Sequence, residues 1–113
     1  MIHVTIYQNA QNEYTGFQTK GHAGYDDAGH DIVCAAASIL VINTINAIDQ
    51  FTDDDISLSS DEKDGMISCY IGGEVSDATQ LLLKTMVLGL EQMVDDENYA
   101  EYIDLTFEEV QQP

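Results

Sequence analysis

Hydrophobic and polar residues alternate at the start of the chain, where Ile2, Val4 and Ile6 are separated by His, Thr and Tyr residues. A period of two predicts a β-strand with one buried face. The polar residues 9–12 predict a turn, and residues 14–20 predict a returning strand. The beginning of the chain therefore predicts a β-hairpin.

Two helical patterns follow along the chain. The first predicts a helix from Ile32 or Cys34 to about Gln50, and its first half is apolar on nearly every side. We expect such a helix to be buried on more than one side, either within the domain or against a second subunit. The second helix is predicted to begin after Ser76, a residue type that caps helices. Gly89 lies inside this second pattern and is predicted to mark a point of close packing.

The remaining segments alternate like strands. Residues 56–58 mark one strand, residues 61–65 form a turn with an Asp-Gly signal, and residues 66–71 form the return strand. Residues 102–107 alternate as a last strand. The order ββαββαβ predicts an α+β fold, in which residues 1–113 form a single domain with two helices packed on a mostly antiparallel sheet.

The charge of the chain is strongly acidic. It carries 21 Asp and Glu residues against three lysines and no arginine, for a formal net charge of −18. No basic patch can be assembled, so we expect no direct nucleic-acid binding and no attachment to an anionic membrane surface. A cationic partner would be attracted by this field, although the charge is also explained by solubility alone.

Cysteine content and the N-terminal residues bear on the cellular compartment. Two cysteines, Cys34 and Cys69, do not make a disulfide framework, which favours a reducing environment. The N-terminus lacks the basic segment of a signal peptide. No apolar run is expected to reach the roughly 18 residues that a membrane-spanning helix requires. These features predict a cytoplasmic protein.

Residues 21–38, GHAGYDDAGHDIVCAAAS, carry the candidate chemistry. Cys34 is expected on the first turn of the first helix, where the helix field favours a thiolate nucleophile. Backbone amides near Cys34 and Ala35 would then be placed to stabilise an oxyanion. A small buried hydrophobe is the alternative interpretation of Cys34. The second cysteine, Cys69, alternates with apolar residues in a strand and is predicted to belong to the core.

His22 and His30 are alternative general bases for Cys34, and the sequence alone does not decide between them. Asp31 is predicted as the helix N-cap, with a second possible role in orienting a histidine. His3 alternates within the first strand and is expected to face solvent. A zinc site from His22, His30 and Cys34 is disfavoured, because the spacing matches no common zinc module and a fourth ligand is missing. We therefore predict no metal and no cofactor.

These residues resemble the signature of the ribosomal-processing cysteine protease family, Prp. The matching positions are Gly21-His22-Ala23, Gly29, Asp31-Ile32-Val33-Cys34-Ala35-Ala36 and Ser38. The resemblance extends over the whole chain. It implies a cytoplasmic, homodimeric cysteine endopeptidase that acts in ribosome maturation. Its substrate would be a basic large-subunit ribosomal protein, from which it removes a short N-terminal extension by cutting after an aromatic pair.

The same resemblance implies roles for individual residues. Cys34 would be the nucleophile and His22 the general base of a Cys-His dyad. Gly21 would be the hinge of a mobile active-site loop at about residues 21–33. A competing hypothesis is a non-catalytic acidic assembly factor or chaperone that binds a basic ribosomal protein, an activity that needs neither member of the dyad.

Two further positions match the signature. Asp31 and Ser38 would be supporting residues of the active site.

Overall fold

The computed structural model describes the backbone of residues 1–21 and 28–110 and the side chains of residues 1–21 and 32–110. Seven elements follow one another in the predicted order ββαββαβ. They are β1 (Ile2–Gln8), β2 (Tyr14–Lys20), α1 (Ala28–Phe51), β3 (Asp55–Asp61), β4 (Met66–Gly72), α2 (Asp77–Asp95) and β5 (Ile103–Glu109).

One five-stranded sheet, in the order β3-β4-β2-β1-β5, forms the frame of the molecule. The β1–β2, β2–β4 and β3–β4 pairs are antiparallel, and the β1–β5 pair is parallel. The prediction of a mostly antiparallel sheet in an α+β fold is confirmed. The last strand lies beside the first, with Ile103 opposite Ile2.

The core lies between one face of this sheet and the two helices. Alternation along β1 turns Ile2, Val4 and Ile6 to this face, and all three are almost fully buried. Each helix contributes one apolar stripe to the same core. These stripes comprise Val33, Ala37, Val41 and Ile48 from α1, and Leu83, Met86, Val87, Leu90 and Met93 from α2.

The first helix begins earlier than the sequence indicates. It starts at Ala28, so the predicted start at Ile32 or Cys34 is wrong. Ala28 favours helix, no proline interrupts the segment, and an acidic residue at position 31 suits the first turn. Asp31 is therefore a helical residue and not the N-cap. The part of the predicted loop from residue 28 to residue 33 is helical, and residues 22–27 lie outside the described part of the chain.

The outer faces of both helices remain uncovered within one chain. On α1, Ile32, Ile39 and Ile42 are exposed, Ile39 to 69%. On α2, Leu81 and Leu88 are exposed to 66% and 57%. The expectation that α1 is buried on more than one side is not met by the single chain, because each helix buries only the face that meets the core.

The apolar character of α1 also changes one expectation about membranes. The segment Ile32–Phe51 has a mean hydropathy of 1.8 and is long and apolar enough to cross a bilayer, contrary to our estimate of its apolar run. Only 28% of it is buried. Length and composition are weak criteria here, because a core helix of a soluble protein also satisfies them. In this fold the helix packs on a sheet and a second helix.

Candidate active site

A cavity of about 410 Å³ opens between the N-terminal half of α1 and one end of the sheet. At this end β1 begins, β2 ends, and the turn between β3 and β4 is made. Its described lining comprises Ile2, Thr19, Lys20, Gly21, Cys34, Ala37, Ser38, Val41, Ser60, Asp61, Glu62, Gly65, Met66 and Ile67. Two of the predicted supporting residues, Gly21 and Ser38, therefore share a cavity with Cys34.

Helical spacing brings four residues of α1 to the cavity wall. Counted from Cys34, the other three residues follow at three, four and seven positions, which places all four on one helical face. They are Ala37, Ser38 and Val41. Cys34 is half-buried and is a free thiol. A thiol in such a position can be reached by a bound molecule while it is held by the packing of the helix. The geometry therefore favours the nucleophile over the interpretation of Cys34 as a buried hydrophobe.

Gly21 lies where β2 leaves the sheet beside the first residues of β1. Its φ is +137°, a conformation that side chains strongly disfavour. A Cβ atom at this position would also meet the carbonyl oxygen of Met1 and would lie 3.1 Å from the Cα atom of Ile2. Glycine is therefore required here by both backbone conformation and space.

The earlier start of α1 alters the electrostatic argument for Cys34. Cys34 is the seventh residue of the helix and lies beyond its first turn. The field of a helix terminus falls off within that turn. Amides beyond the first four of a helix are engaged with carbonyl groups four residues back. In this arrangement the amides of Cys34 and Ala35 do not form the expected oxyanion site.

The structure describes the side chain of one of the three histidines, His3. His3 is on the first strand, and its Nδ1 lies 2.7 Å from Oδ2 of Asp104 on the exposed face of the sheet, as its alternation predicts. His22 lies outside the described residues. His30 and Asp31 belong to the backbone of α1, but their side chains are not described. The choice between His22 and His30 is therefore not made by geometry.

Cys69 is a core residue, as predicted. It is fully buried in β4, and burial raises the pKa of its thiol to about 11. Desolvation disfavours the charged thiolate, so this thiol is poorly suited to nucleophilic chemistry. Cys34 and Cys69 are both free. The two thiols thus occupy contrasting environments, one on a cavity wall and one inside the core.

The hairpin of β3 and β4 contributes a wall that sequence reasoning missed. Ser60 and Ile67 are opposite each other in this hairpin, and both line the cavity. The Asp61 carboxylate accepts hydrogen bonds from the amides of Lys63 and Asp64, at 2.9 and 3.4 Å, and so shapes the turn. Only the pairing of β4 with β2 brings this hairpin to the cavity, and no local motif signals that pairing.

The described residues contain no group of three or more His, Cys, Asp or Glu side chains that could hold a metal ion. The zinc alternative involves His22 and the side chain of His30, which lie outside that set.

Comparison with known proteins identifies the family of this chain. Residues 1–104 match the family model of the cysteine protease Prp. The chain is 34% identical over 107 residues to the ribosomal processing cysteine protease Prp of Staphylococcus aureus, covering 95% of this chain and 99% of that relative.

Two crystal structures of an essential ribosomal processing protease Prp from S. aureus are also similar. The complex with a covalently linked product peptide has a TM-score of 0.83 and 34% identity. The complex with a substrate peptide has a TM-score of 0.86 and 32% identity. Each match covers 95% of this chain and 99% of the other. The chain therefore belongs to the cysteine protease Prp family.

Proposed function

We propose that this protein is a ribosome-processing endopeptidase of the cytoplasm. It removes the short N-terminal extension of a basic large-subunit ribosomal protein by cutting after a pair of aromatic residues. The observation that carries the proposal is the half-buried Cys34 thiol on the wall of a cavity, in a chain of the Prp family. The S. aureus relative is named for ribosomal processing and has been crystallised with peptides.

In the proposed mechanism, Cys34 and His22 form the dyad. Cys34 gives its thiol proton to His22, and the resulting thiolate attacks the carbonyl carbon of the second aromatic residue and forms a tetrahedral intermediate. Protonated His22 donates a proton to the departing amine, which leaves a thioester on Cys34. Water, activated by His22 as general base, then hydrolyses the thioester and restores the thiol. Gly21 acts as the hinge of the segment that carries His22, and Asp31 and Ser38 support the site.

The cavity suits a large apolar side chain. Ile2, Val41 and Ile67 supply aliphatic wall, and the volume of about 410 Å³ lies in the range of ligand-binding pockets. An aromatic side chain gains most from such an environment, because it removes a large apolar surface from water. This supports a cut next to aromatic residues.

The acidic surface suits a cationic substrate. The net charge of −18 would attract a basic ribosomal protein, and Asp61 and Glu62 lie at the cavity itself. Such steering is screened over about 8 Å at physiological salt. Added salt should therefore raise the apparent KM for a lysine-containing substrate and leave kcat nearly unchanged.

Association into a homodimer is part of the proposal. The uncovered faces of α1 and α2 expose Ile39, Ile42, Leu81 and Leu88. Exposed apolar side chains on adjoining helices are typical of a symmetric interface between copies.

The test is incubation with the ribosomal protein that bears its extension, followed by mass spectrometry of the products. We expect a single cut after the aromatic pair, abolished by Cys34→Ala and retained by Cys69→Ala, the matched thiol control. Recovery of a complex with an intact substrate and no product would support the non-catalytic assembly factor instead.

A further inference from the structure

The strand β3 forms one edge of the sheet and leads to the candidate active site. Within the described residues it pairs with β4 alone, so the main-chain groups on its other side have no strand partner. Its end residues Ser60 and Asp61 line the cavity that contains Cys34. The unpaired edge is therefore continuous with the site of the proposed chemistry.

The helix-facing side of β3 is only partly covered. Leu58 is opposite Cys69 of β4, and paired residues share a face of the sheet. Cys69 is fully buried, whereas Leu58 is 54% exposed. Ile56 of β3 still packs against the core, whereas Leu58, two residues nearer the cavity, does not share the cover of its partner Cys69. An exposed apolar side chain, Leu58, therefore lies beside the unpaired edge of β3.

This edge has few of the features that protect edge strands from pairing. Its register with β4 is continuous, without a bulge, and its sequence DISLSSD contains no proline and no lysine. Its charges, Asp55 and Asp61, stand only at its two ends. Carboxylates in these positions are complementary to an extended segment that carries lysines.

We propose that the substrate binds as an additional strand on the free edge of β3. Main-chain hydrogen bonds hold the extended segment, and its alternate side chains contact Leu58 on the helix side. This pairing delivers the next residues of the segment into the cavity beside Cys34. The inference rests on the proposed function, and it specifies how the same site holds its substrate.

The first experiment uses peptides that span the cleavage site, each with one N-methylated residue, and the Cys34→Ala protein. An N-methyl group removes a main-chain donor and blocks pairing. Because alternate residues of a strand point their amides to the same side, we expect affinity losses at every second position. One lost hydrogen bond should weaken binding roughly three- to tenfold. Uniform tolerance of N-methylation, or losses without alternation, would overturn the proposal.

Hydrogen exchange supplies an independent measurement on the protein. Binding of the unmodified peptide to Cys34→Ala should slow exchange of amides within Asp55–Asp61. The opposite edge strand, Ile103–Glu109, serves as an internal control and should not change. Protection confined to β5, or absent from β3 at saturating peptide, would contradict the pairing.

A side-chain variant completes the test. Leu58→Ser should lower kcat/KM about three- to tenfold, because a partly buried aliphatic contact is lost. Phe107→Ser, in the other edge strand, is the matched control and should retain kcat/KM. If wild-type protein cleaves the unmodified peptide but these three readouts do not change, the strand-pairing inference alone fails. If wild-type protein does not cleave that peptide, the proposed function fails with it.

Discussion

Leu40 on α1 packs against Gly89 on α2. A Cβ atom on residue 89 would lie 3.1 Å from both δ-carbons of Leu40, so the absence of a side chain lets the helices meet there. The sequence prediction of close packing at Gly89 is confirmed. The glycine costs about 1 kcal/mol of helix propensity relative to alanine.

We predict that Gly89→Val destabilises the fold by about 1–3 kcal/mol, because overpacking forces the helices apart. Denaturant unfolding monitored by circular dichroism measures the change. Ala78→Val, at an exposed position of the same helix, is the control for β-branched propensity. Equal losses in the two variants would show that the contact with Leu40 is unimportant.

The contrasting environments of the two thiols predict their reactivity. Iodoacetamide at neutral pH should label Cys34 alone in the folded protein, because Cys69 is fully buried and burial raises its pKa to about 11. Cys69 should be labelled only after denaturation. Peptide mapping by mass spectrometry checks both statements. Labelling of Cys69 at a rate similar to that of Cys34 would contradict this description of the core.

The identity of the general base is open to a direct comparison. Because α1 starts at Ala28, the backbone of His30 belongs to the helix, four residues before Cys34. We nevertheless expect His22→Ala to lower kcat by about a hundredfold or more, the usual contribution of a general base. His30→Ala should retain substantial activity. The reverse ranking would identify His30 as the base.

The uncovered helix faces predict the association state. Light scattering at micromolar concentration should give about twice the chain mass of 12.5 kDa. Ile39→Glu should shift this mass toward the monomer, because a charge cannot be buried in an apolar interface without a partner. Phe107→Glu, an exposed apolar position in β5, is the control. A monomeric wild-type protein would refute the proposed dimer.

The start of α2 predicts a dependence of stability on pH. Oδ2 of Asp54 accepts hydrogen bonds from the amide and hydroxyl of Ser76, both at 2.9 Å, while the Ser76 hydroxyl accepts from the Thr79 amide. Desolvation raises the pKa of Asp54, but the hydrogen bonds from Ser76 and Thr79 outweigh it, so the folded-state pKa is lowered.

A lowered pKa means that Asp54 stabilises the fold above its unfolded-state pKa of about 4 and that this contribution is lost as pH falls through the folded-state value. Asp54→Asn should therefore be less stable than wild type at pH 7, and the difference should shrink as pH falls below about 4. Thermal unfolding of the two proteins across this range measures it. Ser76→Ala should lose about 1 kcal/mol as a missing N-cap. A difference that does not shrink as the solution is made more acidic would exclude the carboxylate as its cause.

Local sequence patterns predicted most of the secondary-structure elements of this protein and their order. Alternation identified the strand of Ile2, Val4 and Ile6, and Ser76 marked the start of α2, because periodicity and capping depend on residues close together in the chain. Cys69 was assigned to the core by the same alternation. The order of elements followed, and the order indicated the fold class.

Only the tertiary structure showed where α1 begins and which segments form the cavity wall. Sequence did not indicate that α1 extends back to Ala28. The residues before Ile32 favour a helix only weakly, and the apolar pattern begins at Ile32. Nor did it show that Ile67 faces the same cavity as Cys34, because strand pairing joins segments far apart in the chain. Local residues fix the period of each element, but packing free energy selects which elements meet, and the wall of the active site arises from that selection.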